Sequence, residues 1–312
     1  MQIKLYGVRG SIPAPSTQNN KTNNYGGNTT CLEVKLDNND EYILDMGSGL
    51  RQLGIDLLKT EFSKGKGHAK IFLSHVHWDH IQGFPFFKPA YIKGNRFDIY
   101  GERKMERSLE ETLAGQQQYP NFPVTLNQMK TIGAEMNFHD LEEGETVENG
   151  AKTSYIRVNH PDGCFSYKIE EKGKKFIYCT DNEHDGQTIN ETYELGPTDK
   201  KIIEWTKNAD LLYYDAQYTP EEYDPQQHGI KGFAKKGWGH STYERGIDIA
   251  LVAGVKKLIL GHHEPEHDDK KIDEITAKAN QYLSKQLEAL EKEKKEQTIK
   301  IIFAKEGETY KI

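Results

Sequence analysis

The sequence predicts an α/β protein in which two β-sheets pack together and helices lie outside them. Short apolar runs punctuated by glycine alternate with stretches of helical spacing along the 312 residues. The order of strands followed by helices occurs twice, which favours two packed sheets. The length allows one large α/β domain or two small ones, and we expect a single domain over residues 1–312.

The first half of the chain begins with three predicted strands. They are apolar or alternating runs that end at turn-forming residues: QIKLYG, TTCLEVKL and EYILD. Residues 50–61 have helical spacing, and KIFLS is a compact apolar strand that ends just before His75. Residues 103–114 predict another helix, and a polar connecting region follows to about residue 150.

The second half repeats this pattern. Its predicted strands are KTSYIRV, CFSYKIE, KKFIYCT, LLYYDA, KKLILG and IKIIFAK. The predicted helices lie near TDKKIIEWTKN, from Thr242 to Ala253, and in a long charged stretch near residues 270–293.

Composition limits the functions that the chain can have. The formal net charge of -7 and the pI near 6.0 argue against a general affinity for nucleic-acid backbone, which requires a basic face. The three cysteines, Cys31, Cys164 and Cys179, have no CxxC spacing and predict reduced thiols in a cytoplasmic protein. The start MQIKLYGVRG lacks the pattern of a signal peptide, and no apolar run is long enough to span a bilayer.

The stretch LSHVHWDHIQGFPFF places four residues that can bind metal within six positions: His75, His77, Asp79 and His80. Packing gains nothing from crowded imidazoles, and burying an unpaired carboxylate is costly. Imidazole nitrogen and carboxylate oxygen suit zinc, and they also accept manganese or iron. The stretch therefore predicts a site for divalent metal ions, with zinc preferred.

Three more candidate ligands stand just after predicted strands, where loops are held by a rigid scaffold. One lies in VNHPDG, one in CTDNEHD and one in LILGHH. We expect one metal to bind His75, His77 and His160, the other to bind Asp79, His80 and His262, and Asp181 to bridge them. His263 could replace His262, or it could support the site from outside the ligand set. His184 and His267 are interpreted as exposed loop residues.

HVHWDH resembles the HxHxDH signature of the metallo-β-lactamase superfamily. GVRGSIP, YGGNTTCLEV, LDMGSGL, VNHPDG, CTD, GHST and LILGHH follow in the order of that family, so the resemblance extends over most of the chain. It implies an αββα four-layer sandwich with a dinuclear metal site at one edge. Within the superfamily the chain is similar to the phosphodiesterase branch, which includes ribonuclease Z-like enzymes and cyclic-nucleotide phosphodiesterases.

Two residues outside the ligand set gain roles from this resemblance. Asp45 in LDMGSG resembles an aspartate that orients the loop bearing His75 and His77; it could also serve only as a turn-former. His240 in GWGHSTYERG resembles a histidine that gives a proton to the leaving oxygen, helped by Asp79. Alternatively, His240 only neighbours a helix cap.

The same stretch predicts the local environment of His240. Ser241 and Glu244 have the S-x-x-E spacing of a capping box, which would start the next helix. The positive end of that helix dipole would then lower the pKa of His240.

The predicted reaction is hydrolysis of a phosphodiester by a metal-bridged hydroxide. The chain has no basic arm of the kind with which ribonuclease Z enzymes grip tRNA, so we expect a small cyclic nucleotide rather than a large nucleic acid. Alternatives are a thioester or lactone hydrolase, a ribonuclease Z-like nuclease and a non-catalytic metal sensor. A homodimer is expected from the resemblance. Aromatic residues that could form a base-stacking pocket, or simply pack, are Phe84, Phe86, Phe87, Tyr91 and Trp238.

Overall fold

The structure is a computed structural model that describes residues 1–104, 106–148, 150–189, 192–292 and 298–312. Residue 293, the predicted end of the long charged helix, lies outside these ranges. Among the helices described, none combines the length and the apolar character needed to cross a bilayer.

The first sheet has seven strands in the order β16-β1-β2-β3-β4-β5-β6, numbered along the chain. β16, β1, β2 and β3 pair antiparallel, whereas β3 to β6 run parallel. The strands are β1 (Gln2–Gly7), β2 (Cys31–Lys35), β3 (Glu41–Leu44), β4 (His68–Phe72), β5 (Arg96–Glu102), β6 (Glu135–Leu141) and β16 (Thr309–Lys311).

The second sheet has seven strands in the order β15-β14-β13-β10-β9-β8-β7. β7 to β10 pair antiparallel, and β10, β13, β14 and β15 run parallel. The strands are β7 (Gly144–Glu148), β8 (Ala151–Val158), β9 (Cys164–Glu171), β10 (Lys174–Cys179), β13 (Leu211–Asp215), β14 (Lys257–Gly261) and β15 (Lys300–Phe303). A short antiparallel pair, β11 (Gln187–Ile189) and β12 (Thr192–Glu194), stands apart.

The helices cover the outer faces of the two sheets. They are α1 (Leu50–Leu57), α2 (Trp78–Ile81), α3 (Leu109–Gln116), α4 (Leu126–Ile132), α5 (Pro197–Thr206), α6 (Pro220–Tyr223), α7 (Tyr243–Ala253) and α8 (Asp269–Lys292). α1, α3 and α4 share a buried apolar cluster with the first sheet. α5, α7 and α8 share another with the second sheet.

A third apolar cluster fills the space between the sheets. It includes Phe72 of β4 and Tyr167 of β9, whose ring centroids are 5.4 Å apart. Both side chains are almost fully buried. The order of layers is therefore helix, sheet, sheet, helix, which confirms the predicted αββα sandwich.

The region predicted as a polar connection contains regular structure. α4, β6 and β7 lie within it, and β5 precedes it. The helix predicted from residue 103 begins at Leu109, because the Ser108 side chain and Glu111 form a capping box there. Since β16 completes the first sheet beside β1 and β15 completes the second, we infer that residues 1–312 form one domain.

Candidate metal centre

The candidate ligands of the second sheet lie at one edge of it. β8, β10, β13 and β14 point in the same direction, and their carboxyl ends carry His160, Asp181, Asp215 and His262. Ligands bind at the carboxyl ends of strands in such sheets, because the loops there are held by neighbouring strands. The loop after β4 and the first turn of α2 bring the remaining ligands from the first sheet.

One group of three imidazoles consists of His75, His77 and His160, whose candidate ligand atoms all lie within 4.8 Å of one another. His160 Nε2 lies 3.2 Å from His77 Nδ1, and His75 Nε2 lies 3.6 Å from Asp181 Oδ2. Burial lowers the pKa of His75 well below its usual value and that of His160 to about 4. Neutral imidazoles are the form that binds metal.

A second group consists of Asp79, His80, Asp181 and His262. His80 Nε2 and His262 Nε2 are 3.3 Å apart, and Asp181 Oδ1 lies 3.4 Å and 3.2 Å from these two nitrogens. Asp79 Oδ2 is 3.3 Å from each of them. Because Asp181 directs Oδ2 to the first group and Oδ1 to the second, its position suits the predicted bridge.

The surrounding hydrogen bonds occupy the Nδ1 atoms of this second group. His80 Nδ1 donates to Asp45 Oδ2 at 2.8 Å, and His262 Nδ1 donates to Gln217 Oε1 at 3.1 Å, so both Nε2 atoms present lone pairs when the rings are neutral. Burial opposes a charge on His80, but Asp181, Asp79 and Asp45 outweigh it and raise its pKa well above the usual value. The position therefore favours a positive charge, which a divalent cation would supply.

The first group fits a cation for a related reason. His75 Nε2 is buried and has no hydrogen-bond partner. His160 Nδ1 donates to the Gly239 carbonyl at 3.1 Å, so its Nε2 faces His77 as a lone pair. A buried polar atom without a partner is costly, and nitrogen and oxygen donors in this arrangement suit zinc, manganese or iron. The residues present thus fit two divalent metal ions.

Asp45 is hydrogen-bonded to one imidazole of the centre and to the start of the loop that carries His75. Besides His80, it accepts bonds from the Ser74 amide at 2.7 Å, the Ser74 hydroxyl at 2.8 Å and the Tyr178 hydroxyl at 2.6 Å. The Ser74 bonds fix the start of the loop that carries His75. His263 differs from its predicted supporting place: its Nε2 donates to the Ala304 carbonyl at 2.8 Å, and its ring stacks on Phe303.

His240 pairs with a residue that the sequence interpretation missed. Its Nδ1 lies 2.8 Å from Asp215 Oδ2. Burial lowers the pKa of His240, but the charge and hydrogen bond of Asp215 outweigh it and raise that pKa to about 9. The predicted lowering by the helix dipole is therefore wrong. The available signal was the strand LLYYD, which ends on an acid much as KKFIYCT is followed by Asp181.

The predicted capping box is also wrong by one residue. α7 is capped by Thr242, whose side chain accepts from the Arg245 amide at 3.4 Å. Ser241 instead bonds His184 Nδ1 through its hydroxyl at 3.1 Å, and its amide donates to Asp215 at 3.3 Å. Because Ser241 is engaged by His184 and Asp215, the helix cap lies one residue later, at Thr242.

The two histidines predicted to be exposed are not. His184 is partly buried, and its ring lies 4.4 Å from that of Tyr223. His267 is buried and bonds Glu222 at 2.9 Å. Neither belongs to a group that could hold a metal in the part of the chain described here.

A buried carboxylate holds the segment before His240. Glu183 accepts bonds from the Gly237 amide at 2.7 Å, the Gly239 amide at 2.8 Å and the Tyr223 hydroxyl at 2.6 Å. Gly239 has a φ of +88°, and a Cβ there would lie 1.8 Å from His160 Nδ1. Only glycine allows this close approach.

The five aromatic residues considered for base stacking differ in exposure. Phe84 and Phe87 are buried in the helical layer outside the first sheet, so they pack, as the alternative expected. Tyr91 is partly buried. Phe86 and Trp238 are 56% and 51% exposed. Their rings remain available to a ligand.

The chain resembles known proteins in sequence over most of its length. A family model described as "Beta-lactamase superfamily domain" matches residues 44–263. The chain is 24% identical to "Ribonuclease BN" of Cronobacter sakazakii over 89% of its length and 93% of that protein. It is 23% identical to "Ribonuclease Z" of Lactiplantibacillus plantarum over 82% of its length and 88% of that protein.

Among solved structures, the metallo-beta-lactamase fold protein YhfI from Bacillus subtilis superposes with a TM-score of 0.63. It is 15% identical, and the match covers 99% of each chain. At this identity the likeness concerns the fold alone.

Proposed function

This chain belongs to the beta-lactamase superfamily, and from that premise we propose that it is a metal-dependent phosphodiesterase. The observation that carries the proposal is the meeting of two ligand groups around Asp181, with the His240–Asp215 pair beside them. An anionic substrate needs positive charge at such a place, because its transition state gathers charge on the phosphoryl oxygens.

In our proposal two divalent ions, preferably zinc, are held at the centre. The ligands are His75, His77 and His160 for one ion, Asp79, His80 and His262 for the other, and Asp181 for both. Bound there, such ions polarise phosphoryl oxygens and lower the pKa of water. Manganese or iron would satisfy the same donors.

His240 and Asp79 complete the proposed mechanism. Asp215 raises the pKa of His240 and is not a proposed metal ligand, so it favours a protonated His240 that can donate a proton to the leaving oxygen. Asp215 accepts from Nδ1 and thereby directs Nε2 towards the substrate. Asp79 is held by the Ser11 amide at 2.7 Å, which fixes its carboxylate beside His80 and His262.

Two classes of phosphodiester remain candidates. The net charge of -7 favours a small cyclic nucleotide. The relatives named ribonuclease BN and ribonuclease Z favour RNA, so the expectation that excludes large nucleic acids has no support from them. Both classes contain nucleosides, whereas the thioesters and lactones that an acyl hydrolase would cleave do not.

The cellular setting is also part of the proposal. The three cysteines are free and buried, which supports the reducing environment of the cytoplasm. The homodimer stays a prediction, and size-exclusion chromatography with light scattering would test it.

A substrate panel tests the proposed reaction. The purified protein would receive bis-p-nitrophenyl phosphate, 2′,3′- and 3′,5′-cyclic nucleotides, a short RNA, a thioester and a lactone, each with and without chelator. We expect chelator-sensitive hydrolysis of phosphodiesters only. Turnover of the thioester or lactone without phosphodiester cleavage would instead support an acyl hydrolase. No turnover by a protein with full metal content would support a metal sensor.

Two variants separate the roles within the centre. Asp181→Asn should lose bound metal and activity together, because one carboxylate faces both ligand groups. His240→Gln should keep its metal and lower kcat by about 10²-fold or more, the usual contribution of a general acid. Elemental analysis and kinetics measure the two effects. Full activity of His240→Gln on a substrate with a poor leaving group would contradict the assigned role.

A further inference from the structure

A cavity of about 470 Å³ lies next to the candidate metal centre. Its wall includes Asn20, Tyr218, Glu222, Lys235, Glu264 and His267. The volume falls within the range of small-ligand sites and exceeds what a lone phosphate requires.

The cavity wall contacts the centre directly through Tyr218 and indirectly through Gln217, which lies between Glu264 and His262. The Tyr218 ring lies 5.9 Å from the His240 ring, edge to face. Gln217 accepts from His262 through Oε1 and donates to Glu264 Oε2 at 2.8 Å. A substrate that reacts beside His240 therefore has the cavity within reach.

Lys235 is one of the two lysines on this wall, and it lies beside Tyr218, the wall residue that contacts His240. Its Nζ is 4.2 Å from the Trp238 ring centroid and 5.7 Å from that of Tyr218. No ion pair recorded for the described ranges involves Lys235, whereas its neighbour Lys236 pairs with Asp224. The two aromatic rings therefore hold the ammonium group of Lys235 in place, and this group can pair with an anion.

The wall also carries four carboxylates, those of Glu222, Glu264, Glu266 and Asp268. Glu222 pairs with His267 at 2.9 Å and lies 3.6 Å from Lys271, and Glu264 accepts from Gln217. Because these acids repel anions, a phosphate is expected only beside Lys235, and the rest of the cavity suits hydrogen-bond donors. The remaining lone pairs of the acids can accept hydrogen bonds from base edges and ribose hydroxyls.

We propose that Lys235, Trp238 and the adjoining cavity form a nucleotide subsite. A base stacks on the ring of Trp238, a side chain that is 51% exposed. Lys235 pairs with a phosphate other than the one that is cleaved. The ribose and the base edge occupy the cavity beside Tyr218. This assignment rests on the proposed phosphodiesterase function and adds the ligand chemistry: a nucleoside that bears a second phosphate.

Three substrates with one leaving group test the subsite on the metal-loaded full chain. They are ethyl p-nitrophenyl phosphate, thymidine 5′-(p-nitrophenyl phosphate) and the latter with a 3′-phosphate. We expect kcat/KM to rise about tenfold with the nucleoside and about tenfold again with the second phosphate, since stacking and a charged hydrogen bond each contribute that much.

Matched variants assign each gain to a residue. Trp238→Leu should abolish the gain from the nucleoside, and Lys235→Gln the gain from the 3′-phosphate. Phe233→Leu, an 89% exposed residue of the same segment, and Lys236→Gln should keep both ratios. Equal kcat/KM for all three substrates, or equal effects of Lys235→Gln and Lys236→Gln, would overturn the subsite.

A binding measurement keeps this test separate from the proposed function. If the wild-type protein cleaves none of the three substrates, the phosphodiesterase proposal fails. The subsite is then judged by calorimetry with thymidine 3′,5′-bisphosphate. Binding that Lys235→Gln weakens about tenfold, and Lys236→Gln does not, would support it. The absence of binding, or equal binding by the two variants, would refute it.

Discussion

Three residues of the centre adopt a backbone conformation that side chains rarely accept. Asp45, Asp181 and His262 have φ values of 62°, 42° and 60°. Each follows the last residue of its strand or stands one residue further on. Such positions cost about 1–3 kcal/mol each and persist where the surroundings enforce them. The sharp turn directs each side chain over the sheet edge, where Asp181 and His262 meet the imidazoles.

The sequence allowed the ligand candidates to be found residue by residue but not their partners. Histidines and acids that stand directly after apolar strands carry a local signal. Asp215 does not stand near another candidate in the sequence, and its contact with His240 spans 25 positions. The direction of the His240 pKa shift depends on that contact. A prediction from the neighbouring helix alone therefore gave the wrong direction for this pKa shift.

Glu183 should position the centre without touching substrate. Glu183→Gln replaces one acceptor oxygen by an NH₂ group that faces a backbone amide, so the Gly237–Gly239 turn loses a bond. We expect kcat to fall about tenfold and the metal beside His160 to bind more weakly, because the Gly239 carbonyl no longer fixes that ring. Metal titration and kinetics measure both changes.

Tyr223→Phe is the matched control for Glu183. It removes the hydroxyl bond to the same carboxylate and leaves both amide bonds in place. Its metal affinity should stay close to that of the wild-type protein. A Glu183→Gln protein that loses stability but binds metal normally would reduce Glu183 to a purely structural role.

At the level of elements, apolar strands were predictable and polar ones were not. β5 contains Asp98, which is buried but satisfied by Arg96 at 3.1 Å and His68 at 2.7 Å. A buried charge that is paired by Arg96 of the same strand and His68 of β4 makes an internal strand resemble a surface loop in the sequence. α4 was missed because it is short and buries little more than Leu126 and Met129.

The antiparallel pair β2–β3 contains a carboxyl that should make stability depend on pH. Burial, with the nearby charge of Glu33, raises the pKa of Glu41 to about 8, although Lys35 lies 3.4 Å away. Below the usual pKa of about 4.5 both the folded and the unfolded states are protonated. As pH rises from there to 8, only the unfolded state ionises, so the free energy of unfolding falls.

Replacing Glu41 by glutamine should remove this loss. We expect Glu41→Gln to exceed the wild-type protein in stability by about 4 kcal/mol at pH 8 and nearly to match it at pH 4.5. Urea denaturation at the two pH values measures the difference. Glu61→Gln, which changes a carboxylate that is 58% exposed and pairs with Lys64, should show no such dependence. A parallel shift of Glu41→Gln at both pH values would argue against the raised pKa.

In the molecule as a whole, the centre joins the two sheets. His75, His77, Asp79 and His80 come from the chain after β4, whereas His160, Asp181 and His262 follow strands of the second sheet. Without cations, lone pairs and carboxylates of both sheets face one another at 3.2–3.6 Å. Bound metal should therefore stabilise the packing of one sheet on the other.

Chelation should accordingly lower the melting temperature of the whole chain. A ligand present at 1,000 times its Kd contributes about 4 kcal/mol, which corresponds to roughly 6 °C for a protein of this length. Calorimetry of the metal-loaded protein with and without chelator measures the shift. Asp181→Asn should respond much less to the chelator. An unchanged melting temperature after proven removal of the metal would mean that the sheets pack independently of it.

The pairing of β1 with β16 has a consequence for biosynthesis. β1 is translated long before β16, yet the edge of β1 that faces β16 is hydrogen-bonded only after residues 309–311 have been made. Until the ribosome reaches them, that edge offers unpaired backbone groups to any other nascent strand. Ribosomes that stall before residue 309 are therefore expected to yield chains that aggregate or recruit chaperones, even when every residue of the candidate centre has already emerged.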